Sequence, residues 1–168
     1  KALIVDGQNN HAWRETTPVL KRLLEETGRF TVDVATTPPK GGDFSAFQPR
    51  FRDYAVVVSN YNGENWPEAT LNALTSYVAG GGGFVSYHAA DNAFRDSVEF
   101  NKMIGIGGWG DPMRDEKSGP FSVWREGRIV QFDAPGKAGA HGARLPFAVT
   151  IRDAKHPITR GLPPVWMH

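Results

Sequence analysis

Tyr54-Ala55-Val56-Val57-Val58 carries the clearest signal in the chain for a β-strand that is buried on both faces. Its apolar residues are continuous rather than alternating, which is typical of a strand inside a parallel sheet. A polar loop, 59–65, follows it, and then a helical pattern with Leu71 and Leu74 on its apolar face. A strand, a loop and an amphipathic helix in this order form the unit from which parallel sheets are built.

The same unit occurs elsewhere in the first hundred residues. Ala2–Val5 is a second continuous apolar run, and Thr17 is predicted to cap the next helix with Pro18 at its first position. An alternating stretch, 30–35, and an apolar stretch, 84–87, predict two more strands. The sequence therefore predicts an α/β fold, a three-layer sandwich in which helices cover both faces of a mostly parallel sheet.

The pattern changes after a last predicted helix over 97–104. A glycine-rich loop, 105–112, carries Trp109, and a second loop, 133–146, has no packing pattern. Three further strands are predicted, the first two as a hairpin: 121–124, 128–130 and 147–151. No internal repeat or second domain boundary is found, so we expect the 168 residues to form one domain.

The composition excludes several classes of function. Nineteen Lys and Arg against eighteen Asp and Glu give a net charge of +1 without a basic stripe, so nucleic acid is not an expected partner. No apolar run approaches the roughly 20 residues of a membrane-spanning helix. The chain contains no Cys, which excludes disulfides, thiolate metal ligands and a Cys nucleophile.

Candidate catalytic residues follow the predicted strands, because ligands bind beyond the carboxyl ends of parallel strands. His88 ends one strand, His11 and Asp6 follow the first, and Asp91 lies in the loop after His88. Imidazole acts as base, acid or metal ligand near neutral pH. We therefore assign His88, His11 and Asp91 to catalysis. The alternative for each of these residues, and for Asp6, is a structural hydrogen bond or a turn cap.

A second group of residues is assigned to substrate binding. Amide groups bind sugar hydroxyls in fixed directions, and a Trp ring packs against the apolar face of a sugar. The residues assigned are Asn10, Asn60, Tyr61, Asn92, Trp109 and His141. A core position for Trp109, a turn cap for Asn92 and a solvated position for His141 are the alternatives.

A divalent metal is left open, although no cofactor is assigned. His11 and His88, together with Asp91 or Glu64, are ligand types for zinc, manganese or iron. These residues are scattered in the chain and match no metal motif such as HExxH.

Five segments, in the same order, resemble one known family. They are Val5–Trp13, Asn60–Gly63, Gly81–Phe94, 103–110 without residue 106, and His156–Pro163. The family is the ThuA-like (trehalose utilisation) family of the class I glutamine amidotransferase-like superfamily. The resemblance spans essentially the whole chain, and no single motif decides it.

The resemblance implies a flavodoxin-like fold and carbohydrate metabolism. In the amidotransferases the elbow after the corresponding strand carries a catalytic Cys, whereas this chain has His88 there. Glutamine hydrolysis through a thioester is therefore excluded. The family implies instead a small-molecule carbohydrate, a disaccharide or keto-sugar. From the candidate residues we expect it to be processed by His-centred acid/base chemistry. The alternatives are a non-catalytic sugar-binding domain and a metal-dependent glycosyl hydrolase.

The resemblance also concerns what surrounds the domain. Relatives continue past His168 with further strands, so we expect residues 1–168 to be a single ThuA-like domain that lacks them. Secreted relatives and the absence of an initiator Met favour a periplasmic or secreted location. A homo-oligomer is left open.

Overall fold

The centre of the protein is a four-stranded parallel sheet. In the computed structural model, which describes residues 1–110 and 113–168, its strand order is β2-β1-β3-β4. The strands are β1 (Ala2–Asp6), β2 (Val32–Thr36), β3 (Val56–Ser59) and β4 (Gly83–Ser86). The predicted parallel sheet is confirmed.

Helices cover both faces of this sheet. They are α1 (Trp13–Glu26), α2 (Glu68–Ala79) and α3 (Val98–Ile104). On one face, Leu20 and Leu24 of α1 pack against a cluster that contains Ile4. On the other face, Leu74 of α2 and Phe100 of α3 belong to the larger core cluster. The predicted three-layer α/β sandwich is therefore confirmed.

The start of α1 differs from the prediction. The helix begins at Trp13, and the Glu15 and Thr16 N–H groups bond to the Ala12 carbonyl. Pro18 lies inside the helix and Thr17 does not cap it, since the Thr17 hydroxyl is buried and accepts a hydrogen bond from Asn60. The Thr-Pro pair resembles a helix start, but Thr17 instead makes a tertiary hydrogen bond with Asn60, the residue after β3.

Two antiparallel hairpins follow the sheet. They are formed by β5 (Phe121–Arg125) with β6 (Arg128–Phe132), and by β7 (Ala148–Thr150) with β8 (Val165–Met167). The first has a two-residue turn in which Glu126 and Gly127 have φ angles of 51° and 78°, as a type I′ turn requires. The strand β8 was not predicted, because three residues are too few to show periodicity.

The glycine-rich loop is described only up to residue 110. Its last two predicted residues, Asp111 and Pro112, lie outside the described residues. Among the helices that the structure describes, none has the length and apolar character needed to cross a bilayer.

Candidate functional site

Two imidazole rings lie side by side at the carboxyl edge of the sheet. The ring centroids of His11 and His88 are 4.4 Å apart and the ring planes are inclined by 58°. His11 comes from the loop after β1 and His88 from the turn after β4, and both residues are exposed to solvent. The parallel sheet thus brings together two residues that are 77 positions apart in the sequence.

The backbone of His88 is strained. Its φ angle is +52°, in the left-handed region that a residue with a Cβ rarely adopts. His88 begins a short 3₁₀ turn, His88–Asn92, directly after β4, and the preceding Tyr87 N–H is held by the Ser59 carbonyl of β3. Strained non-glycine residues occur preferentially at functional sites, and a sharp turn after a strand exposes a reactive side chain.

Asp91 and Asn92 lie on the same turn as His88, and both are half-buried. The turn has five residues, so Asp91 and Asn92 follow His88 by three and four positions. Their assigned roles, catalysis for Asp91 and substrate binding for Asn92, stay predictions.

The loop that carries His11 is fixed by amide hydrogen bonds. The His11 N–H donates to the side-chain carbonyl of Asn9 over 3.0 Å, and the Asn9 amide donates to the Asn60 carbonyl over 3.2 Å. The Asn62 amide donates to the side-chain carbonyl of Asn10 over 2.9 Å. The loop after β1 is therefore tied to the loop after β3, and this holds His11 in place.

Asn60 is the buried anchor of this arrangement. Its side chain donates to the Thr16 and Thr17 hydroxyls, both at 3.0 Å, and is 2% exposed. Asn60 thereby connects the end of β3 to the first turns of α1. Its assignment to substrate binding stays a prediction, and the contacts observed are structural.

Tyr61 points into the larger core cluster. Its side chain is 0% exposed, its ring packs against Trp66 and Phe94, and its hydroxyl donates to the Glu64 carbonyl. Burial raises the pKa of the Tyr61 phenol, which stays neutral in the physiological range. Its role in substrate binding is likewise untested, and its observed role is to pack the core below the site.

Trp109 and His141 come together although they belong to separate loops. Their ring centroids are 6.5 Å apart. Arg95 donates to the Trp109 carbonyl over 2.9 Å, and a Cβ at Gly139 would lie 2.8 Å from the indole ring. The Trp109 ring can lie this close to the backbone of residue 139 because glycine has no side chain. Sugar binding by Trp109 and His141 stays a prediction.

Asp6, at the end of β1, has a structural bond. It is 2% exposed and accepts a hydrogen bond of 2.7 Å from the Thr36 hydroxyl at the end of β2. The contact observed for Asp6 is therefore a structural hydrogen bond that braces the neighbouring strand.

A cleft of about 560 Å³ opens among the loops that follow β1, β2 and β3 at the same edge. The boundary between β1 and β3 is the topological switch point of a sheet with this strand order, where ligands commonly bind. The residues that line it are Gly7, Gln8, Asn9, Asn10, Trp13, Arg14, Pro39, Lys40, Asn62, Gly63 and Glu64. Of these, Asn10 was predicted to bind substrate.

The candidate metal ligands were His11, His88, Asp91 and Glu64. Within residues 1–110 and 113–168, no group of three or more His, Asp or Glu side chains is arranged to hold a metal ion. The carboxylate of Glu64, one of the predicted ligands, accepts hydrogen bonds from the Gly41 N–H at 2.7 Å and from the Gln8 amide at 3.3 Å.

Comparison with known proteins identifies the family of this α/β domain. The profile of the ThuA family, described as trehalose utilisation, matches residues 1–168. The chain belongs to the ThuA family.

Two crystal structures show the same fold in other ThuA-like proteins. One, from Parabacteroides merdae, is 44% identical to this ThuA domain with a TM-score of 0.86, and the match covers 99% of this chain and 59% of that one. The other, from Bacteroides uniformis, is 21% identical with a TM-score of 0.59, and covers 99% and 56%. The second likeness concerns the fold alone. This chain spans less than two thirds of the length of both structures, and no curated protein matches it.

Most residues of the ThuA domain's cleft, among them its two cations and its tryptophan, were missed by the sequence analysis. Trp13, Arg14 and Lys40 line it, and none of them was proposed as a binding residue. A signal was present for the first two, because Trp-Arg directly follows the polar loop after β1. Lys40 lies in a Pro- and Gly-rich segment without periodicity, where only the folded chain shows its position.

Proposed function

We propose that this ThuA-family protein processes a disaccharide or keto-sugar by acid/base chemistry at the imidazole pair. His88 is the principal acid/base, and His11 and Asp91 assist it. The observation that carries the proposal is the contact between two solvent-exposed imidazoles, one of them on a strained backbone, at the carboxyl edge of the sheet. Such a pair supplies a proton acceptor and a proton donor next to one another.

A sugar oxidised at C3 suits this chemistry. The ketone acidifies the C2–H bond, so His88 removes that proton and the electron pair forms an enolate. The C1–C2 double bond then forms as the C1–O bond breaks, and a protonated His11 gives its proton to the departing oxygen. The products are a free alcohol and an unsaturated keto-sugar, with no net change of oxidation state. General acid/base catalysis of this kind contributes roughly 10² to 10⁴-fold in rate.

Ordinary glycoside hydrolysis is supported less well by this site. That reaction uses two carboxyl groups about 5 to 10 Å apart on either side of the bond. The closest pair of ionisable groups described at this edge consists of imidazoles, and Glu64 is held by Gly41 and Gln8.

The proposal is tested by incubating the protein with trehalose and 3-keto-trehalose and following products by NMR. We expect turnover of the keto-sugar, a loss of roughly 10² to 10⁴-fold in His88→Ala, and a smaller loss in His11→Ala. His156→Ala, in an exposed turn far along the chain, serves as the matched control and should retain full activity.

Three results would speak against this function. Identical product traces for the parent protein and His88→Ala would remove His88 from the chemistry. Saturable sugar binding without turnover would favour a sugar-binding domain. Stoichiometric zinc, manganese or iron in an elemental analysis of the purified protein would support the metal-dependent alternative.

A further inference from the structure

The cleft at the switch point carries two cations without carboxylate partners. Arg14 and Lys40 both line it, and neither makes an ion pair within the described parts of the chain. Other basic residues of the sheet region do pair with carboxylates: Lys21 with Glu25, for example, over 3.8 Å. The charge of Arg14 and Lys40 is therefore available to a ligand in the cleft.

The one carboxylate in the lining is fixed by the protein. Glu64 accepts from the Gly41 N–H and the Gln8 amide, which holds it on the wall formed by the loop after β3. With two cations and one carboxylate, the lining has a charge of +1. An anion is therefore favoured over a cation as the ligand that this cleft attracts.

Arg14 is oriented before any ligand arrives. Its guanidinium carbon lies 4.3 Å from the centre of the Trp13 ring, the distance of a cation–π contact. The planar guanidinium matches the geometry of carboxylate and phosphate oxygens, and a pre-oriented group loses less entropy on binding.

The rest of the lining suits hydroxyl groups. Asn10 and Asn62 line it, and the bond between them uses one group of each, which leaves the Asn10 amide N–H groups and the Asn62 side-chain carbonyl for a ligand. Gln8 and Asn9 also line it, but the protein itself uses both groups of each side chain. Gly63 packs directly on Gln8, since a Cβ at residue 63 would lie 2.4 Å from the Gln8 Cβ. The cleft volume of about 560 Å³ falls in the range of small-molecule sites.

We infer that this cleft binds an anionic sugar, with Arg14 and Lys40 on its carboxylate or phosphate group and the Asn10 and Asn62 amides on its hydroxyls. The inference rests on the proposed function and deepens it, because it predicts that acidic carbohydrates bind more tightly than the neutral ones. The anion then anchors the ligand among the loops that follow β1, β2 and β3.

The test is isothermal titration calorimetry at low salt with glucuronate, glucose 6-phosphate, neutral glucose and inorganic phosphate. We expect one or both of the anionic sugars to bind at least about tenfold more tightly than glucose, and the affinity to fall with added salt. Arg14→Gln and Lys40→Gln should each weaken that binding by about tenfold. Arg22→Gln is the control, since Arg22 lies on the same helix outside the cleft and pairs with Glu26.

The outcomes separate this inference from the proposed function. Equal affinities for glucose and the anionic sugars, or no effect of either substitution, would overturn it. Inorganic phosphate binding as tightly as glucose 6-phosphate would also overturn it, because a simple anion site would then suffice. Binding of glucuronate alone identifies a carboxylate ligand, and binding of glucose 6-phosphate alone a phosphate. Binding is measured separately from turnover of the keto-sugar, so a failure of the imidazole chemistry leaves this result intact.

Discussion

The sheet region, residues 1–104, and the hairpin region, residues 113–168, are built from the same kinds of side chain but pack very differently. Both core clusters consist of residues from the sheet region. Among the described residues after Gly119, none is buried. Phe100 is 0% exposed, whereas Phe147 is 55% exposed.

The difference follows from what each kind of sheet can cover. Strands of a parallel sheet are joined by crossover helices, which bury both of its faces. A two-stranded hairpin has no second layer and is marginally stable alone. The imidazole pair and the cleft belong to the sheet region, and of the predicted binding residues only His141 comes from the hairpin region. The buried core and the residues of the proposed chemistry therefore belong to the same part of the chain.

The strongest test of this comparison uses two phenylalanines. Phe100→Ala removes a ring that packs against Phe84 and Phe94 and should cost about 3 to 5 kcal/mol in the free energy of unfolding. Phe147→Ala, the matched change in the hairpin region, should stay within about 0.5 kcal/mol. Urea denaturation followed by circular dichroism measures both. Similar costs for the two substitutions would show that the hairpin region contributes a core of its own.

A smaller effect is expected from the buried amide below the site. Asn60→Ala removes the donors to the Thr16 and Thr17 hydroxyls and should cost about 1 to 3 kcal/mol. Because the Asn60 side-chain oxygen also accepts from the Asn9 amide over 3.4 Å, the loop of His11 should loosen, and turnover should fall more than the stability change alone explains. Asn65→Ala is the exposed control. Unchanged stability and turnover in Asn60→Ala would refute the bracing role.

The smallest effect concerns a surface carboxylate of the sheet region. Asp33 accepts hydrogen bonds from Lys1 and Tyr54, both at 3.1 Å, and these lower its pKa below the ordinary value of 3.8. A pKa that is lower in the folded state stabilises the fold above the ordinary pKa, and this stabilisation is lost as the pH falls through the folded value.

Asp33→Asn should therefore lower the thermal midpoint slightly at neutral pH, and the difference from the parent protein should vanish in acid. Thermal unfolding at several pH values between 2 and 7 checks this, with Tyr54→Phe expected to show part of the same effect. A loss as large as that of Phe100→Ala would mean that surface pairs, and not packing, distinguish the two regions.

Much of the sheet region was predictable because burial leaves a direct trace in the sequence. Continuous apolar runs such as Ala2–Val5 mark strands that are covered on both faces. The start of α1 was not predictable in this way, because Thr17 and Pro18 form a good local cap and only the bond from Asn60 shows otherwise. The β8 strand forms by pairing with β7, and the sequence of β8 itself contains no pattern that predicts this pairing.

The site was predictable to the extent that it follows from topology. The meeting of His11 and His88 follows from parallel strands that end at one edge. The inward direction of Tyr61 does not, because it is set by packing against Trp66 and Phe94. Arg14 and Lys40 look like ordinary solvated charges in the sequence, and only the folded loops show that both line one cleft.

At residue 88, the left-handed backbone makes the stability of the fold and the proposed acid/base role favour different amino acids. Glycine adopts this conformation without the clash that a Cβ creates, so a chain selected for thermal tolerance alone would have glycine there. The imidazole is instead held against a local strain of about 1 to 2 kcal/mol. Under the proposed acid/base role of His88, a more stable form of this domain would keep residue 88 and take its stabilising changes away from the sheet edge.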